Sequence, residues 1–216
     1  MFFSTTTVLT LLIASLCVLA AAITNGAADP VSQAVATLQA GTTLDRRQAA
    51  EQLARIGDQR AVQPLTQALR DDDQLVREAS EQALWRIWHR SGTPEVDARL
   101  LDGIAEMHRG AWQDAVGIFS EVIEVAPDFA EGYNKRATTY YLMQEYEKSI
   151  LDCETTISLN PVHFGALSGA GLNYMGLRNP VKALAYFERA VRVNPNMPQI
   201  QKYIKTIKNF LRDETL

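Results

Sequence analysis

Three prolines, Pro127, Pro161 and Pro195, follow one another at intervals of 34 residues. Proline has no amide hydrogen and disfavours helix in the residue before it. Three of them at one interval therefore predict three helix ends at a regular spacing. Other positions keep the same phase. Ala115, Ser149 and Ala183 form one small-residue register, and Phe119, Cys153 and Phe187 form a register of core residues. Small residues let two antiparallel helices of a unit approach closely, while large ones fill the space between units. A unit of this length cannot bury its apolar faces alone, so it must stack on its neighbours.

The middle unit shows the pattern most fully, with Tyr133, Ala137, Tyr140, Ser149, Cys153 and Pro161 in phase. The third unit supplies Gly171, Tyr174, Ala183, Phe187, Ala190 and Pro195, with Leu167 in place of an aromatic and Pro180 opening its second helix. The first carries Gly103, Gly110, Trp112, Ala115, Phe119 and Pro127, but Arg99, Asp102 and Glu106 occupy positions where apolar residues are expected. This arrangement resembles the tetratricopeptide repeat. Residues 198–212 read as one more amphipathic helix, with Ile200, Ile204, Ile207, Phe210 and Leu211 on one stripe, which suits a solvating cap.

A second periodicity lies upstream. Val31 and Val62, Leu38 and Leu69, Leu53 and Leu84, and Ile56 and Ile87 are each 31 residues apart, and Gly57-Asp58 marks a turn between helices. The stretch from Val31 to about Trp88 resembles the short HEAT-like repeats of phycobilin lyases and many bacterial proteins, which implies helical hairpins and not lyase activity. The fold class expected is all-α: a right-handed α-solenoid with two HEAT-like repeats (29–92), three tetratricopeptide units (93–196) and a C-terminal capping helix (197–216). The connection from His89 to Glu95 is short, which suits closely joined helices. Trp85 and Trp88 just before it are expected to pack on the first tetratricopeptide unit, making one continuous rod.

The first 28 residues carry no charged side chain, and Val8 to Ile23 contains only Thr10 and Ser15 as polar residues. An apolar run followed by Ala20-Ala21-Ala22, with a second small-residue site ending at Ala28, reads as a secretory signal. The alternative is a retained membrane anchor formed by residues 8–23. The expected location is periplasmic or secreted, with a membrane role only if the segment stays uncleaved. A net charge of −4 argues against a nucleic-acid partner, which would need a basic patch to neutralise phosphates.

No chemistry-bearing constellation stands out. His89, His108 and His163 lack zinc-ligand spacing, and Cys153 has no partner thiol outside the N-terminal run. Asp71-Asp72-Asp73 lacks the alternation and glycine of a calcium loop and reads as a turn with one aspartate capping the next helix. Phosphate-binding loops, a nucleophile elbow and H-E-x-x-H are absent from the sequence. Gly165, Gly169, Gly171 and Gly176 fall at helical spacing, as close helix packing requires. No enzyme activity, metal or cofactor is expected.

What the resemblance implies is a protein-binding surface. The first helix of each tetratricopeptide unit lines a concave groove that takes an extended peptide or a partner helix. By phase, the groove residues here are Leu100, Ile104, Met107 and His108, then Glu131, Asn134, Thr138, Tyr141 and Leu142, then Ser168, Leu172 and Met175. A subgroup of the family grips the C-terminal carboxylates of chaperones with cations in this groove. Leu100, Ile104, Gly165 and Gly169 stand at those positions, so an apolar or helical partner segment is expected in place of a charged tail.

Overall fold

The computed structural model describes residues 29–213, and the signal or anchor reading of residues 1–28 lies outside them. Eleven helices make up the described chain: α1 (Pro30–Ala40), α2 (Thr43–Ile56), α3 (Gln59–Ala68), α4 (Gln74–Trp88), α5 (Pro94–His108), α6 (Trp112–Val125), α7 (Ala130–Leu142), α8 (Tyr146–Leu159), α9 (Phe164–Gly176), α10 (Pro180–Val193) and α11 (Pro198–Asp213). None of these is long and apolar enough to cross a membrane.

The first four helices have polar caps. Asp29, Thr42, Asp58 and Asp73 each accept backbone N–H bonds at a helix start, and Thr42 with Asp45 forms a reciprocal capping box. Such caps are each worth about 1 kcal/mol. The Asp71–Asp73 run is thus a loop and a cap. Asp71 also takes a two-point ion pair from Arg46 at 2.7 and 2.8 Å. Leu38, Leu53, Leu65, Leu69, Val76 and Leu84 close a dry core among these helices. The Arg90 guanidinium donates to the carbonyls of Ala54, Arg55 and Gly57, satisfying the open end of α2.

The next six helices form three hairpins, α5–α6, α7–α8 and α9–α10, and α11 packs on the last. Their registers explain one another. A Cβ on Gly103 would lie 2.5 Å from Phe119, and one on Gly171 would lie 2.4 Å from Phe187. In the middle hairpin the same two positions hold Ala137 and Cys153, a larger residue opposite a smaller one. The hairpin turns share a backbone device at the 34-residue interval: Gly110, Gln144 and Arg178 adopt φ of 80°, 61° and 54°. Only the first of the three is a glycine. The polar residues in the first unit lie on its surface, where Arg99 pairs with Glu121 of α6 at 2.8 Å and Arg109 with Glu106 at 2.6 Å. In α11, Ile200 and Ile207 are buried, whereas Phe210, expected on the same stripe, is half exposed.

The two arrays do not form a continuous rod. Trp85 and Trp88 pack on His163 and Phe164, at the junction of the second and third hairpins, and not on the first unit. Val96, Leu100 and Phe119 of that first unit belong to a separate core. The HEAT-like core instead takes in Phe164, with Val162, Val193 and Met197 against it. Arg70 donates to the carbonyls of Arg192 and Val193, and Asn196 donates to that of Leu69 at 2.7 Å. The cause is apolar matching. The exposed ends of α9 and α10 present Phe164 and Val193, which the tryptophans and the α3–α4 turn cover.

The left-handed residues at Gln144 and Arg178 give a direct test. Non-glycine residues in that region are strained by roughly 1 kcal/mol or more, whereas glycine adopts it freely at some cost in chain entropy. The Gln144→Gly and Arg178→Gly variants are expected to gain roughly 0.5 kcal/mol each, read as a rise in thermal midpoint. A fall in both midpoints would show that side-chain contacts at these turns outweigh the strain.

Candidate protein-binding groove

The first helices of the three hairpins, α5, α7 and α9, lie side by side. The groove residues expected on them separate into three groups. Leu100 is fully buried beside Phe119 and presents nothing to a partner, which corrects its assignment to the groove. Ile104 and Met107 are half-buried against that same core. The first unit thus offers little apolar surface on this side, because its degenerate helix spends these residues on its own hairpin.

Asn134, Thr138, Tyr141 and Leu172 are brought together. With Leu142, Ser168, Cys153, Gly165 and Gly169 they line one hollow of about 320 Å³ between α7 and α9. Two sequence departures open it. The middle hairpin has Cys153 where the others have phenylalanine, and α9 has two glycines where a side chain would fill the gap. The space at Gly169 is open, since an added Cβ would meet only the Cys153 sulfur at an ordinary 3.5 Å. Burial pushes the Cys153 thiol up to about 12, so it serves as a small apolar floor and not as a nucleophile. Met175 does not line this hollow; it lines a separate apolar one of about 380 Å³ with Arg178, Pro180, Ile207 and Phe210. Tyr141, Leu142 and Met175 are exposed.

Elsewhere the groove is occupied by the chain itself. The Trp85 ring sits on Gly165 so closely that a Cβ there would lie 2.4 Å away. Below it, Glu131 is fully buried and its carboxylate is held from four sides. His163 Nε2 lies at 3.0 Å, Lys135 Nζ at 3.1 Å, Asn134 Nδ2 at 3.2 Å and His89 Nε2 at 3.4 Å. His163 Nδ1 accepts the Ala166 N–H at 3.0 Å, which caps α9 and places the ring proton on Nε2, facing Glu131. Burial pushes the Glu131 carboxyl up, but the hydrogen bond and field of His163, followed by Lys135 and His89, hold it down at about 2. Two of the three scattered histidines thus meet on one carboxylate, and His163 is a helix cap with no solvent exposure. Their separation in sequence gave no signal. The one clue was Gly165, small enough to admit a ring from elsewhere.

Comparison with known proteins agrees with this architecture. The model of the HEAT-repeat family matches residues 16–85 and 31–116. A TPR repeat-containing protein of Rhizobium etli is 31% identical over 126 residues, 58% of this chain and 61% of that protein. Phycocyanobilin lyase subunit alpha of Picosynechococcus is 40% identical over 60 residues, 28% of this chain and 22% of the enzyme. The chain thus spans under two thirds of the length of either relative. Among solved structures, the first TPR of Spaghetti (RPAP3) bound to the HSP90 peptide SRMEEVD superposes with a TM-score of 0.53 at 19% identity, covering 54% of this chain and 93% of that one. The chain is a repeat protein that joins HEAT-like hairpins to tetratricopeptide hairpins.

The Glu131 cluster predicts a pH dependence with a defined sign. A carboxyl depressed from its ordinary 4.5 to about 2 contributes stability that is complete above 4.5 and is lost as pH falls toward 2. Urea unfolding across that window is expected to weaken steeply for the native chain and less steeply for Glu131→Gln. At neutral pH the variant should be less stable by roughly 1–3 kcal/mol, because buried donors lose a charged acceptor. Identical slopes for the two proteins would remove Glu131 from this role.

Proposed function

We propose that this chain is a non-catalytic scaffold that binds a peptide or partner helix of another protein in the hollow between α7 and α9. The observation that carries the reading is the hollow itself. It is apolar, has Tyr141 and Leu142 exposed in its lining, and is produced by departures from the repeat pattern that cost packing in the hairpin. Apolar surface left uncovered in this way marks interaction sites. The peptide held by the related RPAP3 domain supports a peptide-type occupant. The short match to a lyase subunit brings only its helical hairpins, since function resides in sites and not in folds.

Tyr141, Leu172 and Met175 provide the apolar contacts in this reading, and Asn134 and Thr138 the polar edge. We place the protein in an exported compartment on the apolar run of residues 8–23. Intact-mass measurement of the native protein tests this: a mature chain beginning at Ile23 or Asp29 supports export, while an uncleaved chain makes it a membrane-anchored assembly factor.

Filling the hollow is the sharpest test of the binding reading. Gly169→Leu places a side chain into open space and improves helix propensity, so the fold is expected to persist by circular dichroism. In crosslinked pull-downs the variant should lose the partners that the native chain retains, as should the Tyr141→Ala, Met175→Glu double variant. A full partner set on either folded variant sinks the proposal.

A further inference from the structure

Trp85 lines one hollow and touches the lining of another. On one side its ring rests on Gly165, a residue that lines the groove between α7 and α9. On the other it borders an open hollow of about 640 Å³ with Ala54, Arg55, Arg86, His89 and Arg90. The lining of this second hollow contains three arginines, a histidine and no acid. Arg90 is engaged by backbone carbonyls of the α2 end. Arg55 and Arg86 are exposed, and among the described residues neither guanidinium has an ion-pair or hydrogen-bonding partner. One turn upstream, Glu51 is tied to Arg47 at 2.9 Å, and Glu81 is half-buried on α4. Lys135 lies 5.9 Å over the Trp85 ring from the groove side, its charge answered by Glu131.

We propose that the HEAT-like array supplies a cationic half to the binding surface: Arg55 and Arg86 receive the carboxylates of a partner segment whose apolar residue enters the hollow between α7 and α9. The occupant is therefore an acidic segment with an adjoining apolar anchor. This inference rests on the groove reading above and adds the chemistry of the partner. The charge complementarity is local. The chain as a whole is acidic at −4, yet this hollow carries two uncommitted guanidinium groups beside an aromatic face. Guanidinium pairs well with carboxylate because its planar fork matches the two oxygens. The cations come from α2 and α4, so the first helices of the tetratricopeptide units need none. That accounts for an apolar floor at Gly165 and Gly169 next to a basic rim.

The test uses fluorescein-labelled peptides of about a dozen residues, each with one central leucine. Three glutamates, or three glutamines as control, lie on its N-terminal or its C-terminal side. With the full chain at low salt, a glutamate peptide is expected to bind at least about tenfold tighter than its glutamine control. Added salt should narrow this difference, because exposed charge pairs are screened. The Arg55→Gln, Arg86→Gln double variant should erase the preference while leaving the glutamine peptide unchanged, and Gly169→Leu should weaken both. Equal binding of the two peptides, or a preference that survives the double variant, overturns this inference and leaves the groove reading standing. Failure of every peptide to bind the native chain overturns both.

Discussion

The packing of Trp85 and Trp88 on His163 and Phe164 is the contact on which the rest of the structure depends. Trp88 stacks on His163 with centroids 4.4 Å apart, and Trp85 meets Phe164 edge-on at 5.3 Å. Each such aromatic pair contributes about 0.5–1.5 kcal/mol beyond the area it buries. Together with the bonds of Arg70 and Asn196 across the same junction, they fuse the two repeat arrays. They also bring the end of α4 onto the groove, where the Trp85 ring rests on Gly165.

The same contact explains a buried charge. Glu131 would be costly to desolvate alone, and removing any partner of a buried charge is more damaging than the pair is stabilising. Here α4 brings His89, α7 brings Lys135 and Asn134, and the α8–α9 turn brings His163. Three elements converge on one carboxylate, so the cluster fixes the orientation of the HEAT-like array as well as shielding it. Solvent could do the shielding for an exposed acid, but it could not fix an orientation.

The groove follows from small residues. Where Phe119 and Phe187 fill their hairpins against glycine, Cys153 packs against Ala137 and stops short. Gly165 and Gly169 widen the gap from the other side. A solenoid normally closes such gaps, since interiors are packed to the density of organic crystals. Here the gap stays open, with Tyr141 and Leu142 exposed in its lining and the Trp85 ring resting on Gly165.

The all-helical repeat architecture was legible in the residues alone, because helix ends and close helix approaches are local requirements. Pro127, Pro161 and Pro195 mark the ends, and the Gly103–Phe119 and Gly171–Phe187 complementarity requires each pair to meet within one hairpin. Period and phase also placed Asn134, Thr138, Tyr141 and Leu172 on adjoining helices. Three things were decided only by tertiary structure. Leu100 carries a groove phase but lies in the core, because the polar residues of its helix leave it as one of the few apolar groups available to bury. Trp85 and Trp88 end the upstream array, yet they reach past the first unit to the third. Residues far apart in sequence came together around Glu131. Each depends on how rigid hairpins dock, and docking is set by shape and apolar area summed over whole surfaces, a quantity that no local pattern of residues encodes.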